Sequence, residues 1–196
     1  MISRGAAAAV LLLAGGCATL PPAGDARNWP AERAALQALD RWSLDGRIAV
    51  AAGEDGFTGG FDWVQSGERA DVELSGPMGG SALKIRVQGD QVDVIAHGQG
   101  ATREDSEALL ARYFGPHRSL PAAEMRYWLL GVPAPHAPAE ETLGADQRLA
   151  ALTQAGWQVR FDRYQGVGRL ALPARMEMST PGLRLRVVVS DWRLPP

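Results

Sequence analysis

Few side chains in this sequence could do chemistry. There is a single cysteine, Cys17, and there are three histidines, His97, His117 and His136. One cysteine can neither close a disulfide within the chain nor build a Cys-rich metal site. A catalytic thiolate needs a fixed site and an activating base. Cys17 has neither, because Pro21, Pro22, Ala23 and Gly24 follow it, which is linker composition. The histidines are scattered, and neither an HExxH helix nor a GxSxG elbow occurs. Glu104 and Asp105 open a helical pattern, where carboxylates favour the helix dipole. Glu140 and Glu141 fall in a stretch that reads as loop. GEDG at 53–56 reads as a hairpin turn rather than a phosphate loop, because no helix follows it. The chain is therefore expected to be no enzyme and to hold no metal or cofactor.

What remains is to ask what Cys17 is for. Arg4 supplies a short positive start, and Ala6 to Ala14 form an apolar run too short to span a bilayer. Ala14, Gly15 and Gly16 are the small residues a signal peptidase needs near its cut. Residues 1–16 are therefore expected to be a cleaved signal that leaves Cys17 first, followed by a flexible tether over 17–28. The stretch resembles the bacterial lipobox, which implies that Cys17 carries a diacylglycerol thioether and an N-acyl group. The lipobox prefers Leu three positions before the Cys; here Ala14 stands there, with Leu13 one step earlier. The competing reading is an ordinary secreted protein with a spare thiol. One fatty chain binds a bilayer only reversibly, whereas two or three hold stably. In the sorting systems this resembles, Asp after the Cys signals inner-membrane retention; Ala18 stands there and favours the outer membrane. No other segment reaches the ~18 apolar residues of a membrane span.

The body, 29–196, has the size of one domain. A net charge of -2, with no basic stripe, argues against a nucleic-acid partner. The stretch WPAERAALQALDRW has helical spacing, and Pro30 suits a first turn. The period then changes to two. Leu44, Ile48 and Val50 share a face, as do Phe57, Gly59, Phe61, Trp63 and Gln65; ADVELSG, ALKIRVQ and QVDVIAH continue the pattern. Gly89-Asp90 is a two-residue hairpin signal, so five strands form an antiparallel meander. Two helices follow, REDSEALLARYF behind Thr102 and PAAEMRYWLLG ending on Gly131, and VPAPHAPAEE reads as loop. About four further strands run through RLAALTQ, GWQVRFDRY, LALPARMEMST and LRLRVVVSDW. A sheet of nine or more strands, apolar on one face, must curl or close. The amphipathic helices are its natural plug or lid.

RWSLDGRIAV, GGFDWVQ, LSGPMGGSALKI, YWLLGVP, QAGWQVRFDRY, LPARMEM and LRVVVSDW occur in this order. As an ordered set the chain resembles the outer-membrane lipoprotein receptor family LolB over nearly all of its mature length. The resemblance implies an open, incomplete antiparallel barrel of about nine to eleven strands with a helical lid over a hydrophobic cavity. It implies a monomeric receptor that accepts triacylated lipoproteins from a periplasmic carrier, LolA, and inserts them into the outer membrane. An acyl chain of sixteen carbons costs roughly 12 kcal/mol to expose to water. Transfer without ATP needs only a receiver that binds more tightly, and a tenfold bias is about 1.4 kcal/mol.

Two groups of residues become site candidates. Met78 lies between Gly76-Pro77 and Gly79-Gly80, a turn by composition. The residues alone leave open a misplaced core side chain. The resemblance implies instead an apolar tip on a protruding loop, flanked by Pro77 and Gly79, that contacts the membrane during cargo release. The acyl-chain cavity is expected among Phe61, Trp63, Leu74, Ile85, Met125, Trp128, Leu129, Trp157 and Phe161; strand spacing cannot tell cavity lining from core packing. An anchored carrier of other hydrophobic ligands and a structural outer-membrane lipoprotein are the competing functions. The carrier predicts a cavity without an exposed apolar loop tip, and the scaffold predicts a filled core.

Overall fold

The computed structural model describes residues 28–76, 81–89, 91–96, 99–100, 114 and 120–195. Cys17, Pro77, Met78, Gly79, Asp90 and the expected helix over 103–113 lie outside the described residues, as do the signal and most of the tether.

Helix α1 spans Trp29–Gln37; the Asn28 side chain accepts from the Ala31 amide and Pro30 occupies its first turn. Strands β1 (Arg41–Ala52), β2 (Asp55–Ser66), β3 (Arg69–Ser75), β4 (Ser81–Gln88), β5 (Gln91–Ala96) and β6 (Gln99–Gly100) follow as one meander. Helix α2 spans Ala122–Leu129, and β7 (Ala139–Leu143), β8 (Leu149–Gln154), β9 (Trp157–Val167), β10 (Leu170–Thr180) and β11 (Leu183–Arg193) form a second meander. All eleven strands belong to one antiparallel sheet, ordered β6-β5-β4-β3-β2-β1-β11-β10-β9-β8-β7. The two meanders meet where β1 pairs with β11, Ile48 opposite Val187 and Val50 opposite Leu185. The ends of that order, β6 and β7, are not paired with each other, so the barrel is open, as expected.

Turn chemistry fixes the meanders. GEDG is a turn as read from sequence, with Gly53-Glu54 joining the paired residues Ala52 and Asp55. Ala155 and Gly156 both take positive φ, 52° and 76°, between paired Gln154 and Trp157, as a tight hairpin requires. Strand alternation then sends the predicted apolar sets to one face: Leu44, Ile48, Val50, Phe61, Trp63, Val72, Leu74, Leu83, Ile85, Leu185, Val187 and Val189 are all buried.

One expectation is corrected. Ala139–Leu143, including Glu140 and Glu141, is edge strand β7 rather than loop. Charge is tolerated on an edge, where one side of the strand is unpaired. Glu141 also has a task there: its carboxylate accepts from Trp29 Nε1 at 3.0 Å and pairs with Arg33, docking α1 on the sheet edge. The eleven strands among the described residues fall within the expected nine to eleven.

The connection from β6 to β7 joins opposite edges of the sheet and carries α2 across its inner face. Gly131, at φ +80°, ends the helix: its amide donates to the Trp128 carbonyl and that of Val132 to the Tyr127 carbonyl.

Candidate functional site

The inner face of the first meander and the N-terminal half of α2 enclose an apolar cavity. Phe61 and Trp63 from β2, Val72 and Leu74 from β3, Ile85 and Val87 from β4 and Val92 from β5 form its sheet wall. Ile48 and Leu185 extend that wall across the β1–β11 seam, while Ala122 and Met125 of α2, with Phe114 and Leu120, close it. Among the described residues no polar side chain lines it. Its volume is about 40 Å³, far below the ~300 Å³ at the lower end of ligand pockets. In this form it is a seam between packed surfaces, closed by Ala122, Met125, Phe114 and Leu120.

Phe61, Trp63, Leu74, Ile85 and Met125 line this cavity. Trp128, Leu129, Trp157 and Phe161 line neither this cavity nor the polar one described below. They pack on the second meander. Trp128 and Leu129 are fully buried, and the Trp128 ring lies 6.2 Å from that of Trp157. The reason is Gln154, which the sequence reading passed over. Its buried amide Oε1 accepts from Trp128 Nε1 and from the Ala134 amide, both at 2.8 Å. Its Nε2 donates to the Ala134 and Ala137 carbonyls at 2.9 and 2.8 Å. Every donor and acceptor there is satisfied, which binds the C-terminal end of α2 and the loop beyond it to β8. The available signal was parity: Gln154 stands two residues after Leu152 and so faces inward.

A second cavity, of about 270 Å³, adjoins the first. It is walled by Trp63, Gln65, Ala70, Val87 and Gly89, by Glu68 in the β2–β3 turn, by Ala122, Ala123, Arg126 and Tyr127 of α2 and by His136. Trp63 Nε1 donates to buried Gln65 Oε1 and Gln65 Nε2 donates to the Gly67 carbonyl, each at 2.8 Å. That carbonyl also accepts from Arg126 Nη1 at 2.9 Å, tying α2 to the turn. Among the described residues no cluster of His, Cys, Asp and Glu could hold a metal ion, and no helix is long and apolar enough to cross a membrane.

The family model described as "Outer membrane lipoprotein LolB" matches residues 40–192. The chain belongs to the LolB family. The LolB match begins beside β1 and ends at Trp192 in β11, so it contains every residue lining either cavity, while α1 precedes it. An outer-membrane lipoprotein LolB of Pseudomonas paraeruginosa is 35% identical over 194 residues, covering 95% of this chain and 94% of the relative. Another LolB, of Nitrosococcus oceani, is 34% identical, covering 94% of each. Among solved structures, a LolA superfamily protein of Nitrosomonas europaea superposes with a TM-score of 0.50 at 11% identity, covering 86% of this chain and 94% of that one. At that identity the likeness concerns the fold of the LolB chain alone.

Proposed function

We propose that this protein is a lipoprotein receptor of the outer membrane, taking acyl chains of lipoproteins from a LolA-type periplasmic carrier and passing them to the bilayer. The observation that carries the reading is the cavity without a polar wall, closed by α2, in a LolB-family sheet. Burying an acyl chain there recovers the roughly 12 kcal/mol that water exposure of sixteen carbons costs. At about 40 Å³ the cavity admits a chain only when Met125 and Ala122 move off the sheet wall, so α2 is the moving part. Its C-terminal end, bound by Gln154, is the fixed part. The role is binding and transfer, with no bond made or broken.

In the same reading residues 1–16 are removed, Cys17 is acylated and the chain through residue 28 is the tether. The body faces the periplasm, and Met78, between Pro77 and Gly79, touches the membrane during release. The compositions that support these steps are the apolar run before Cys17 and the turn-formers around Met78.

The test uses the mature chain with Cys17→Ala. A fluorescent fatty-acid probe binds it and is displaced by a lipoprotein; absence of probe binding overturns the proposal. In the acylated protein, Met78→Glu leaves uptake from the carrier near the wild-type level while insertion into liposomes falls and loaded receptor accumulates. Unfolding of that variant would make Met78 a core residue, and failed uptake with normal insertion would make the loop a docking surface.

A further inference from the structure

The apolar cavity and the 270 Å³ cavity share Trp63, Val87 and Ala122 in their walls, so a greasy space and a polar space lie side by side. Trp63 marks the border. Its ring meets the edge of Phe61, 6.2 Å away in the apolar cavity, while its indole N–H turns to Gln65 in the polar one. Two alanines of α2, Ala122 and Ala123, leave the room that larger side chains would fill.

Arg126 is the principal donor at the polar end. Among the described residues it has no carboxylate partner. Nη1 donates to the Gly67 carbonyl, Nη2 donates to the Tyr127 hydroxyl, and the guanidinium lies 4.5 Å from the centre of the Tyr127 ring. These contacts hold the fork in place and commit two of its five N–H groups. The surroundings are not cationic: Glu68 lines the same space, and Glu124 lies 3.5 Å from His136 at its rim. A fixed guanidinium among balancing carboxylates suits a neutral group rich in carbonyl acceptors better than a phosphate.

We infer that the polar cavity binds the ester and amide linkage of an acylated ligand whose hydrocarbon occupies the adjoining apolar cavity, with Arg126 as the donor to its carbonyl oxygens. The inference rests on the proposed receptor reading and adds a site that selects the head of the ligand. The site also sets a direction. Ala70 pairs with Val87 beside it, whereas the loop carrying Met78 leaves from the Ser75–Ser81 pair at the other end of β3 and β4. Five residues of strand put the two about 17 Å apart. The ligand's polypeptide thus leaves at the end away from that loop.

The experiment compares three probes on the mature chain with Cys17→Ala: a diacylglyceryl-cysteinyl peptide, a pyrene-labelled alkane and dodecyl phosphate. With Arg126→Met, affinity for the lipopeptide falls about tenfold, the loss expected for hydrogen bonds from a charged donor, while alkane binding stays within about twofold. Tyr127→Phe removes the acceptor that orients Arg126 and spares its bond to Gly67; it gives a smaller loss, again for the lipopeptide alone. This variant carries the test if Arg126→Met melts early by circular dichroism. Equal losses for lipopeptide and alkane would make Arg126 structural and overturn the inference, as would unchanged lipopeptide binding. A larger loss for dodecyl phosphate than for the lipopeptide would make the cavity an anion site and overturn it too. Alkane binding absent from the unsubstituted protein would instead overturn the receptor reading.

Discussion

Phe61 and Trp63 of β2 line the apolar cavity, whereas Trp157 and Phe161 of β9, also inward-facing and buried, line neither cavity described above. Both strands turn every second residue inward, and all four rings lie on the inner face of one sheet. The difference comes from what α2 brings to each. Toward the second meander it presents Trp128, joined to Gln154, and the side chains there interlock: Leu149, Leu152, Val159, Met176 and Met178 are all but inaccessible. Toward the first meander it presents Ala122 and Met125, which lie in apolar surroundings, and, among the described residues, one side-chain tie, from Arg126 to the Gly67 carbonyl. Directional bonds register two surfaces closely, while apolar contact alone lets them part at modest cost. One half of the sheet is thus a frame and the other a compartment.

The largest effect is expected where the frame is directional. Gln154→Leu strands the Trp128 indole N–H, the Ala134 amide and two carbonyls without partners; urea unfolding is expected to show a loss of about 3–5 kcal/mol. A matched pair of truncations then compares the halves directly. Leu152→Ala opens a hole in a filled region and falls in the usual ~2.7–5 kcal/mol range. Leu74→Ala, beside an existing void, forfeits fewer contacts and costs less by about 1 kcal/mol or more. Equal losses in the two equilibrium measurements would erase the distinction.

The smallest effect is a pH dependence confined to the frame. Burial pushes the Tyr164 phenol above its ordinary value of 10.0, and its hydroxyl donates to the Leu149 carbonyl at 2.7 Å. The folded state therefore holds its proton where the unfolded chain has released it. This contribution is complete below pH 10 and is lost as the pH rises beyond it. Tyr164→Phe should flatten the fall in melting temperature above pH 10; an unchanged slope would assign the alkaline loss elsewhere.

The strands, their inner faces and most of the turns were legible because period two and Gly-containing pairs are local signals. The cavity wall was not legible residue by residue. Phe61, Trp63, Leu74, Ile85 and Met125 line the apolar cavity, while Trp128, Leu129, Trp157 and Phe161 carry the same pattern and pack on the second meander. Lining and filling differ by what arrives from across the sheet, and no residue's own spacing reports that. Gln154 was missed because a glutamine at a strand end resembles a solvent-facing one, although its parity pointed inward. Glu141 was assigned to a loop because prolines precede it and charge surrounds it; an edge strand that receives a helix tolerates both. Arg126 gave no motif at all, since its partners are a turn carbonyl from another strand and a neighbouring ring.

The seam between β1 and β11 has a consequence for timing. Each meander can assemble from neighbouring hairpins as it emerges, but the seam joins residues such as Asp45 and Arg193, 148 positions apart. Contacts so remote in sequence form late, because a long loop must close before they reward it. Until β11 arrives, β1 keeps a bare edge and the compartment lacks Leu185 from its wall. A chain interrupted before β11 is thus left with an unpaired strand and an open greasy face, the state most exposed to aggregation and proteolysis. Completion of the seam is what separates a passenger still in transit from a working receptor.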